Sequence, residues 1–331
     1  MNWHHNISVI MQGLRSMSNK TIAKFSGFVI SIAATCVFSA ACAFVASSPD
    51  KAVSNPRYGP PKVLGNIKSA DITESSGLAA SRCQNNVLWT HNDSGDDAFI
   101  FAINASGDSL GTWKVPNAQN NDWEDIAAYK DKNGKCFIYV GDIGDNKGKR
   151  HDHAVYRVPE PLIVPENANS TRKNPLTTVD PEILRFNYPD YDQDAETLMV
   201  HPKTADIYVV TKRVSGPAGV YRLKSVFTND DIATAEKVAE VSVPAIPNGF
   251  LTGGDISPDG RRIVICDYTQ AYEFVLPETA ANFDDIWKQQ PEPIELGKRK
   301  GGESVCYSVD GNSIFAGSEG KNSPIIEVKR K

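Results

Sequence analysis

The sequence has no surplus of basic residues. It carries 35 Lys and Arg against 40 Asp and Glu, which gives a formal net charge of −5. Proteins that hold nucleic acid or an anionic membrane surface do so through a positive field, and this chain has none overall. The charge balance therefore argues against a nucleic-acid partner and against contact with an anionic membrane once the chain is exported.

Long hydrophobic runs are missing too. The N-terminal apolar run, residues 28–38, is rich in Ala and Ser and is shorter than the roughly 20 apolar residues needed to span a bilayer. Lys20 and Lys24 precede this run, and Ala41-Cys42-Ala43 follows it. This order is the layout of a secretory signal peptide, so residues 1–46 are predicted to be a signal peptide region that is removed on export.

Alternatives stay open at the N-terminus. Residues 1–16, before Met17, are a candidate over-extended start. Cys42 offers a lipoprotein attachment point, although Ser39 stands where an aliphatic residue is expected. Residues 47–61 are rich in Pro and Ser and are predicted to be a linker. The mature protein is expected to be a secreted or periplasmic monomer, with membrane anchoring through the N-terminus as the alternative.

Cysteine is scarce after residue 46, and histidine forms no cluster with it. The cysteines of this part are Cys83, Cys136, Cys266 and Cys306. Export permits disulfides, so the three pairings of these four residues and a set of buried free thiols all stay open. No Cys and His residues stand at ligand spacing, which argues against a zinc site.

Helical periodicity is nearly absent from the chain after residue 62. Short apolar or alternating runs bounded by Gly, Asn, Asp and Pro predict strands instead. One apolar strand recurs at residues 87–90, 137–140, 207–210, 263–266 and 314–317. Each copy follows a strand that opens on small and acidic residues and precedes a strand with an aromatic or aliphatic centre. A repeat of this length and content is typical of β-propeller blades.

The outer strands give the number of blades and the way the ring closes. They are predicted at residues 110–115, 182–188, 237–243 and 293–296, and the fifth unit ends without one. The unpaired strand at 63–67 can supply it. The sequence therefore predicts an all-β fold over 62–331, a β-propeller of five four-stranded blades whose N-terminal strand closes the last blade. Two β-sandwich domains are the alternative, and the insertion at 161–181 can hide an extra strand.

Acidic residues collect where the inner strands begin and the second strands end. Neighbouring strands run antiparallel, so these ends lie on the same face of each blade. Crowded carboxylates repel one another unless a cation compensates them, and Ca²⁺ accepts about 6 to 8 oxygen ligands with tolerant geometry. The sequence therefore predicts a calcium site on this face. Its candidate ligands are Glu74, Glu124, Asp125, Asp142, Asp145, Glu196 and Glu303.

Other residues on this face carry different chemistry. The run at 141–146, Gly-Asp-Ile-Gly-Asp-Asn, is the sharpest local metal signal, because its glycines permit a tight turn around its acidic side chains. Lys212 and Arg213 are candidates for binding an anion, with neutralisation of Glu196 and its neighbours as the alternative. His91 and Asp93 are candidates for acid–base catalysis, and a hydrogen-bonded loop or core role is the alternative for the histidine.

Five motifs resemble a family of uncharacterised secreted bacterial β-propeller proteins. They are Glu-Ser-Ser-Gly-Leu-Ala at 74–79, His-Asn-Asp-Ser-Gly at 91–95, Asp-Trp-Glu-Asp-Ile-Ala at 122–127, Gly-Asp-Ile-Gly-Asp-Asn at 141–146 and Asp-Ile-Ser-Pro-Asp-Gly at 255–260. The chain is more distantly similar to phytase-like esterase and gluconolactonase-like propellers. That likeness implies a central metal near Glu124, Asp142 and Asp145, but the dense basic phosphate pocket of phytases is missing.

Two functions follow as expectations. The first is an exported calcium-binding propeller that binds a small-molecule ligand or a protein partner on its acidic central face. The second is a metal-dependent hydrolase of phosphoric esters, esters or lactones, with Asp93 or His91 as base and Lys212 or Arg213 holding an anion. The fold alone does not choose between a binding protein and an enzyme.

Overall fold

The computed structural model describes residues 56–331, so the predicted signal peptide region and the first part of the predicted linker lie outside the described residues. The first strand, β1 (Lys62–Asn66), begins where the predicted linker ends. Within residues 56–331 no helix has the length and apolar character needed to cross a membrane.

The strands that follow form the first two blades of a ring. Blade one contains β2 (Ser75–Ala80), β3 (Leu88–Asn92), β4 (Phe99–Ile103) and β5 (Ser109–Lys114). Blade two contains β6 (Trp123–Lys130), β7 (Cys136–Asp142), β8 (Ala154–Pro159) and, after a two-residue strand β9 (Leu176–Thr177), β10 (Glu182–Asn187). In both blades each strand pairs antiparallel with the next, from the channel outward.

Three further blades complete the ring. Blade three contains β11 (Ala195–Val200), β12 (Ile207–Thr211), β13 (Ala218–Leu223) and, after β14 (Ile232–Thr234), β15 (Glu236–Val241). Blade four contains β16 (Gly253–Ile256), β17 (Arg262–Cys266), β18 (Gln270–Val275) and β19 (Glu292–Glu295). Blade five contains β20 (Ser304–Tyr307), β21 (Ser313–Gly317), β22 (Pro324–Lys329) and β1. The predicted five-bladed β-propeller, closed by the N-terminal strand, is confirmed.

The core lies between the blades. Five hydrophobic clusters fill the five spaces between neighbouring sheets. Successive side chains of a strand point to opposite faces of the sheet, so each sheet presents apolar side chains to both of its neighbours. Trp89 of blade one and Trp123 of blade two share the first cluster and are completely buried. Each blade therefore depends on both of its neighbours for burial of its apolar surface.

The ring is also fastened by polar contacts at its closure. Tyr58, just before β1, donates a hydrogen bond of 2.5 Å to the buried carboxylate of Glu273 in blade four, and Tyr307 of blade five donates another of 2.9 Å. Both hydroxyls lie in the space between blades four and five. The N-terminal segment is therefore bound to two blades, and not only to its partner strand β22.

The insertion at 161–181 does contain an extra strand, as the sequence allowed. Its first part is a short 3₁₀ helix, Pro165–Asn169, and its strand β9 pairs parallel with β5 of blade one. Strand β14 pairs in the same way with β10 of blade two. A second short 3₁₀ helix, Phe283–Lys288, precedes β19. The two parallel strands cover sheet edges that would otherwise offer free backbone groups to another chain.

One disulfide joins neighbouring blades. Cys83, in the turn between β2 and β3, is bonded to Cys136 at the start of β7, whereas Cys266 and Cys306 are free and buried. The sequence left the pairing open because spacing alone does not reveal which turns meet in space. The bond lies on the face of the ring opposite to the acidic residues.

Breaking this disulfide should lower the stability of the propeller. The bond closes a loop of 53 residues, for which the chain-entropy model gives an upper estimate of about 4 kcal/mol. We expect the Cys83→Ser/Cys136→Ser variant to unfold at a lower urea concentration than the wild type. Reductant should destabilise the wild type and leave the variant unchanged. Equal midpoints for the two proteins would contradict the prediction.

Candidate metal centre

The acidic residues surround one end of the central channel, which we call the mouth. The inner strands β2, β6 and β11 begin there and their partners β3, β7 and β12 end there. The register of β6 shifts between Trp123 and Asp125, and that of β11 shifts between Ala195 and Thr197. Glu124 and Glu196 therefore each occupy a β-bulge, a feature that redirects a side chain and is frequent beside functional sites.

Three carboxylates meet in the mouth. Asp93 follows β3, Asp122 precedes β6 and Glu124 lies on its bulge, and each offers an oxygen within 4.8 Å of the oxygens offered by the other two. Glu124 is 3% exposed, while the two aspartates are partly accessible. This group, the Asp93 triad, joins blades one and two and has the separation of oxygens that one cation can bridge.

The triad is electrostatically unfavourable by itself. Burial raises the pKa of Glu124 well above its ordinary value, and Glu196 and then Asp93 add to the effect by repulsion. Burial also raises the pKa of Asp93 to about 6, with repulsion from Asp122, Glu319 and Glu74 in the same direction. Groups with these pKa values hold protons more tightly in the folded chain than in the unfolded one. A bound cation would compensate the repulsion and the burial of the ionised carboxylates.

The backbone leaves room for the triad at one glycine. A Cβ on Gly144 would lie 2.2 Å from Oε1 of Glu124 and 2.6 Å from Oδ2 of Asp122. Its amide donates to the carbonyl of Asp122 at 3.2 Å, which keeps the 141–146 turn against the carboxylates. The glycines of this turn therefore serve the triad by allowing close approach of the backbone.

A second group of acids lies on the other side of the mouth. Lys212, directly after β12, makes an ion pair with Oε1 of Glu196, while Oε2 of Glu196 is buried without a hydrogen-bond partner among residues 56–331. Burial raises the pKa of Glu196 to about 7 despite the neighbouring ammonium. Burial also raises the pKa of Glu303 to about 9, and repulsion from Glu196 and Glu319 adds to it. Lys212 thus compensates only part of the acidic charge.

The two aspartates of the 141–146 turn each contact Arg150 through one oxygen, Oδ1 of Asp142 and Oδ2 of Asp145. Asp142 accepts hydrogen bonds from the amide of Asp122 at 2.9 Å and pairs with Nη2 of Arg150 at 2.8 Å. Asp145 accepts from the amide of Arg150 at 2.8 Å. Asp142 therefore positions the loop that carries Asp122. Neither aspartate is part of the triad, although the sequence placed both among the candidate ligands.

Asp125 points away from the triad and into the ring of inner strands. Its carboxylate accepts from the amides of Ile126 at 2.8 Å, Leu198 at 2.9 Å and Gly254 at 3.4 Å. These donors belong to blades two, three and four. The side chain is 1% exposed, so Asp125 connects three blades and has no oxygen directed to the mouth.

The remaining predicted residues are spread around the triad. Glu74 is exposed and contributes its carbonyl to the amide of Asp93 at 3.0 Å. His91 is completely buried, its Nδ1 lies 2.9 Å from the carbonyl oxygen of Asn92, and its ring packs edge-on against Trp123. Burial lowers the pKa of His91 to about 4, so the ring is neutral near pH 7. Its position matches the core alternative for this histidine.

The Lys212–Arg213 pair is divided between two surroundings. Lys212 turns into the mouth, whereas Nη1 of Arg213 donates to the side chain of Gln193 at 3.3 Å. Arg213 lines a separate groove of about 200 Å³ with Tyr191 and Lys237. The two cations therefore do not form one anion site.

Sequence reasoning missed Asp122 as a candidate ligand. It stands two residues before Glu124, in the Asp-Trp-Glu-Asp run, and precedes the inner strand as other mouth residues do. Asp93, a candidate base in the sequence, also belongs to the triad. Elsewhere in residues 56–331 a group of Cys83, Cys136 and Glu160 also has metal-like spacing, but its two thiols are bonded to each other.

Comparisons with known proteins add no family assignment. A scan against protein-family models finds no match to this chain, and a search of curated proteins finds none either.

Replacing Asp125 should weaken the ring without affecting a metal in the mouth. In Asp125→Asn an amide NH₂ replaces one acceptor and faces backbone donors, so we expect a loss of about 1–3 kcal/mol in the free energy of unfolding. The loss should be equal with calcium and with chelator. Asp230→Asn, at an exposed loop position, is the control and should unfold almost as the wild type does. A loss that calcium reverses would place Asp125 in the metal site instead.

Proposed function

We propose that this protein is an exported β-propeller that binds one divalent cation, calcium by preference, in the mouth of its channel. The observation that carries the proposal is the meeting of Asp93, Asp122 and Glu124 within 4.8 Å in a largely buried setting. Three carboxylates this close together repel one another unless a positive charge compensates them. Within the described residues no Lys or Arg side chain forms ion pairs with all three of them.

The donor set favours calcium over other metals. All three ligands are carboxylates, with no imidazole or thiolate beside them, which suits a hard cation. Calcium accepts irregular geometry, and ligands that come from a loop, a strand entrance and a bulge are irregular. Asp93, Asp122 and Glu124 would hold the ion, and the free oxygen of Glu196 is the nearest further candidate. The resemblance to secreted propellers supports the proposed export, and the more distant likeness to phytase-like and gluconolactonase-like propellers implies a central metal.

The bound cation would prepare the acidic face for a ligand or a protein partner. Without it, burial keeps protons on the mouth carboxylates or leaves them repelling one another. With it, the loops that carry Asp93, Asp122 and Gly144 are joined through a shared ion, so their shape is fixed before a partner arrives. Preorganisation of this kind lowers the entropy that binding must overcome.

Calcium should stabilise the protein, and more at pH 8 than at pH 5. The pKa values of Asp93 and Glu196 are raised to about 6 and about 7. The mouth therefore favours the folded state while protonated and loses that contribution as the pH rises through 6 to 7. Calcium binds the ionised carboxylates and should therefore raise the free energy of unfolding at this higher pH. The rise is about 2.7 kcal/mol when the calcium concentration is one hundred times its Kd. The measurement is the melting temperature with excess calcium and with chelator at both pH values.

Two variants make this test specific. Glu124→Gln removes a ligand and should abolish the calcium-dependent rise in melting temperature, whereas the exposed Glu278→Gln should keep it. Gly144→Ala should weaken calcium binding at least tenfold, because its Cβ displaces two ligands. Gly59→Ala is its control, since a Cβ there meets one backbone oxygen at an ordinary 3.5 Å. If the wild type shows no calcium-dependent rise at pH 8, the metal proposal is wrong.

A metal-dependent hydrolase is the second candidate, and the position of Asp93 favours it. In this candidate Asp122 and Glu124 would hold the divalent cation, which would supply Lewis acidity, and Asp93 would be free of the ion. Asp93 is partly accessible and its pKa is raised to about 6 by burial, so it can accept a proton near neutral pH. His91 has no route to solvent in this conformation. Asp93 is therefore the side chain to which we assign the role of base in this second proposal.

The hydrolase candidate predicts calcium-dependent release of 4-nitrophenol from its phosphate or acetate ester. The rate should rise with pH, as Asp93 loses its proton, and should vanish in Asp93→Asn. The control Asp230→Asn should keep the wild-type rate. Calcium-dependent stabilisation without any turnover of either ester would favour the binding function over the hydrolase.

A further inference from the structure

Lys212 has an unusual place among the acids of the mouth. Its amide donates to the carbonyl of Asp194 at 2.9 Å, and its side chain is only 13% exposed. The ammonium pairs with Glu196, and it also lowers the pKa of Glu124 in the triad. Lys212 is therefore a fixed positive charge beside the proposed cation position, and not a mobile surface lysine.

An aromatic ring helps to hold this ammonium in place. Nζ of Lys212 lies 5.2 Å from the ring centroid of Phe250, which in turn packs edge-on against Tyr268 at 5.0 Å. A cation over an aromatic face is attracted by the negative face of the ring. The ammonium is thus held between a carboxylate and a ring, and this position brings it towards the mouth while Arg213 turns away.

Glu196 is the residue for which two positive charges would compete. One of its oxygens meets Lys212, and the other is buried and has no hydrogen-bond partner within the described part of the chain. Its bulge on β11 directs it to the mouth, and after burial it is the strongest influence on the pKa of Glu124. A divalent cation in the triad would attract Glu196 and repel the ammonium that holds it.

We propose that the Lys212 ammonium is a tethered counter-ion that competes with the divalent cation for Glu196. This inference rests on the proposed cation site and adds its regulation. Without the cation, Lys212 keeps Glu196 paired and the mouth intact. With the cation, Glu196 is shared or transferred, and part of the binding free energy is used to separate it from Lys212. Lys212 therefore sets the calcium affinity below what the carboxylates alone would give.

The test is calcium titration calorimetry on the full chain, together with melting temperatures under chelator. Lys212→Met should bind calcium at least tenfold more tightly than the wild type. The same variant should melt at a lower temperature under chelator, because Glu196 is left buried and unpaired. Lys224→Met removes an ion pair with Asp206 away from the mouth and should change neither quantity appreciably.

A double variant separates competition for Glu196 from simple charge repulsion. In the Glu196→Gln background, Lys212→Met should raise calcium affinity by less than threefold, because the shared carboxylate is gone. A tenfold gain in calcium affinity in that background would overturn the competition proposal. An unchanged calcium affinity in Lys212→Met alone would overturn it too. In either case, calcium binding by the wild type would leave the proposed function intact. Failure of both the wild type and Lys212→Met to bind calcium would overturn the cation site and this inference together.

Discussion

One buried carboxylate, that of Asp125, holds the centre of this propeller together. It accepts backbone amides from blades two, three and four, where the inner strands approach each other around the channel. Asp255 does the same on the other side, with the amide of Tyr307 at 3.0 Å and the guanidinium of Arg82 at 2.8 Å. Inner strands of different blades have no ladder of hydrogen bonds between them, so these carboxylates fix their relative positions.

The mouth depends on that arrangement. Glu124 is the neighbour of Asp125, and the bulge between Trp123 and Asp125 sends these two adjacent carboxylates to different surroundings. One binds backbone amides inside the ring and the other joins the triad. In a regular strand two adjacent side chains point to opposite faces of the sheet, and the pairing with the next strand has no register shift. The chemistry of the mouth is thus built on a defect in the innermost strand, which the buried aspartate keeps in place.

The repeat pattern of the sequence was sufficient to predict the blades. Strand order, the closing strand and the face on which acids gather all follow from an apolar repeat and from antiparallel connection. The individual ligands were harder to predict. Asp142 and Asp145 precede Arg150 by a few residues, and only the folded loop brings the Arg150 guanidinium onto Asp142 and the Arg150 amide onto Asp145. Asp125 looked like a ligand because a bulge cannot be recognised from residue types. His91 lies on a strand whose burial extends to its last residue.

The triad is off the axis of the ring for a reason that lies in blade four. Where blades two and three place Glu124 and Glu196, the inner strand of blade four begins with Gly253 and Gly254. Gly254 stands where these blades have Glu124 and Glu196, and a Cβ on it would lie 2.9 Å from the carbonyl oxygen of Val264 and 3.0 Å from Cγ2 of Thr197, so the close packing there disfavours a side chain. A carboxylate from blade four is therefore missing from the mouth. The acids of the mouth come from the other blades, including Glu303 of blade five, and the Lys212 ammonium lies beside Phe250, in the segment that leads into blade four. The asymmetry that makes room for a tethered counter-ion is the same asymmetry that moves the cation site towards blades one and two.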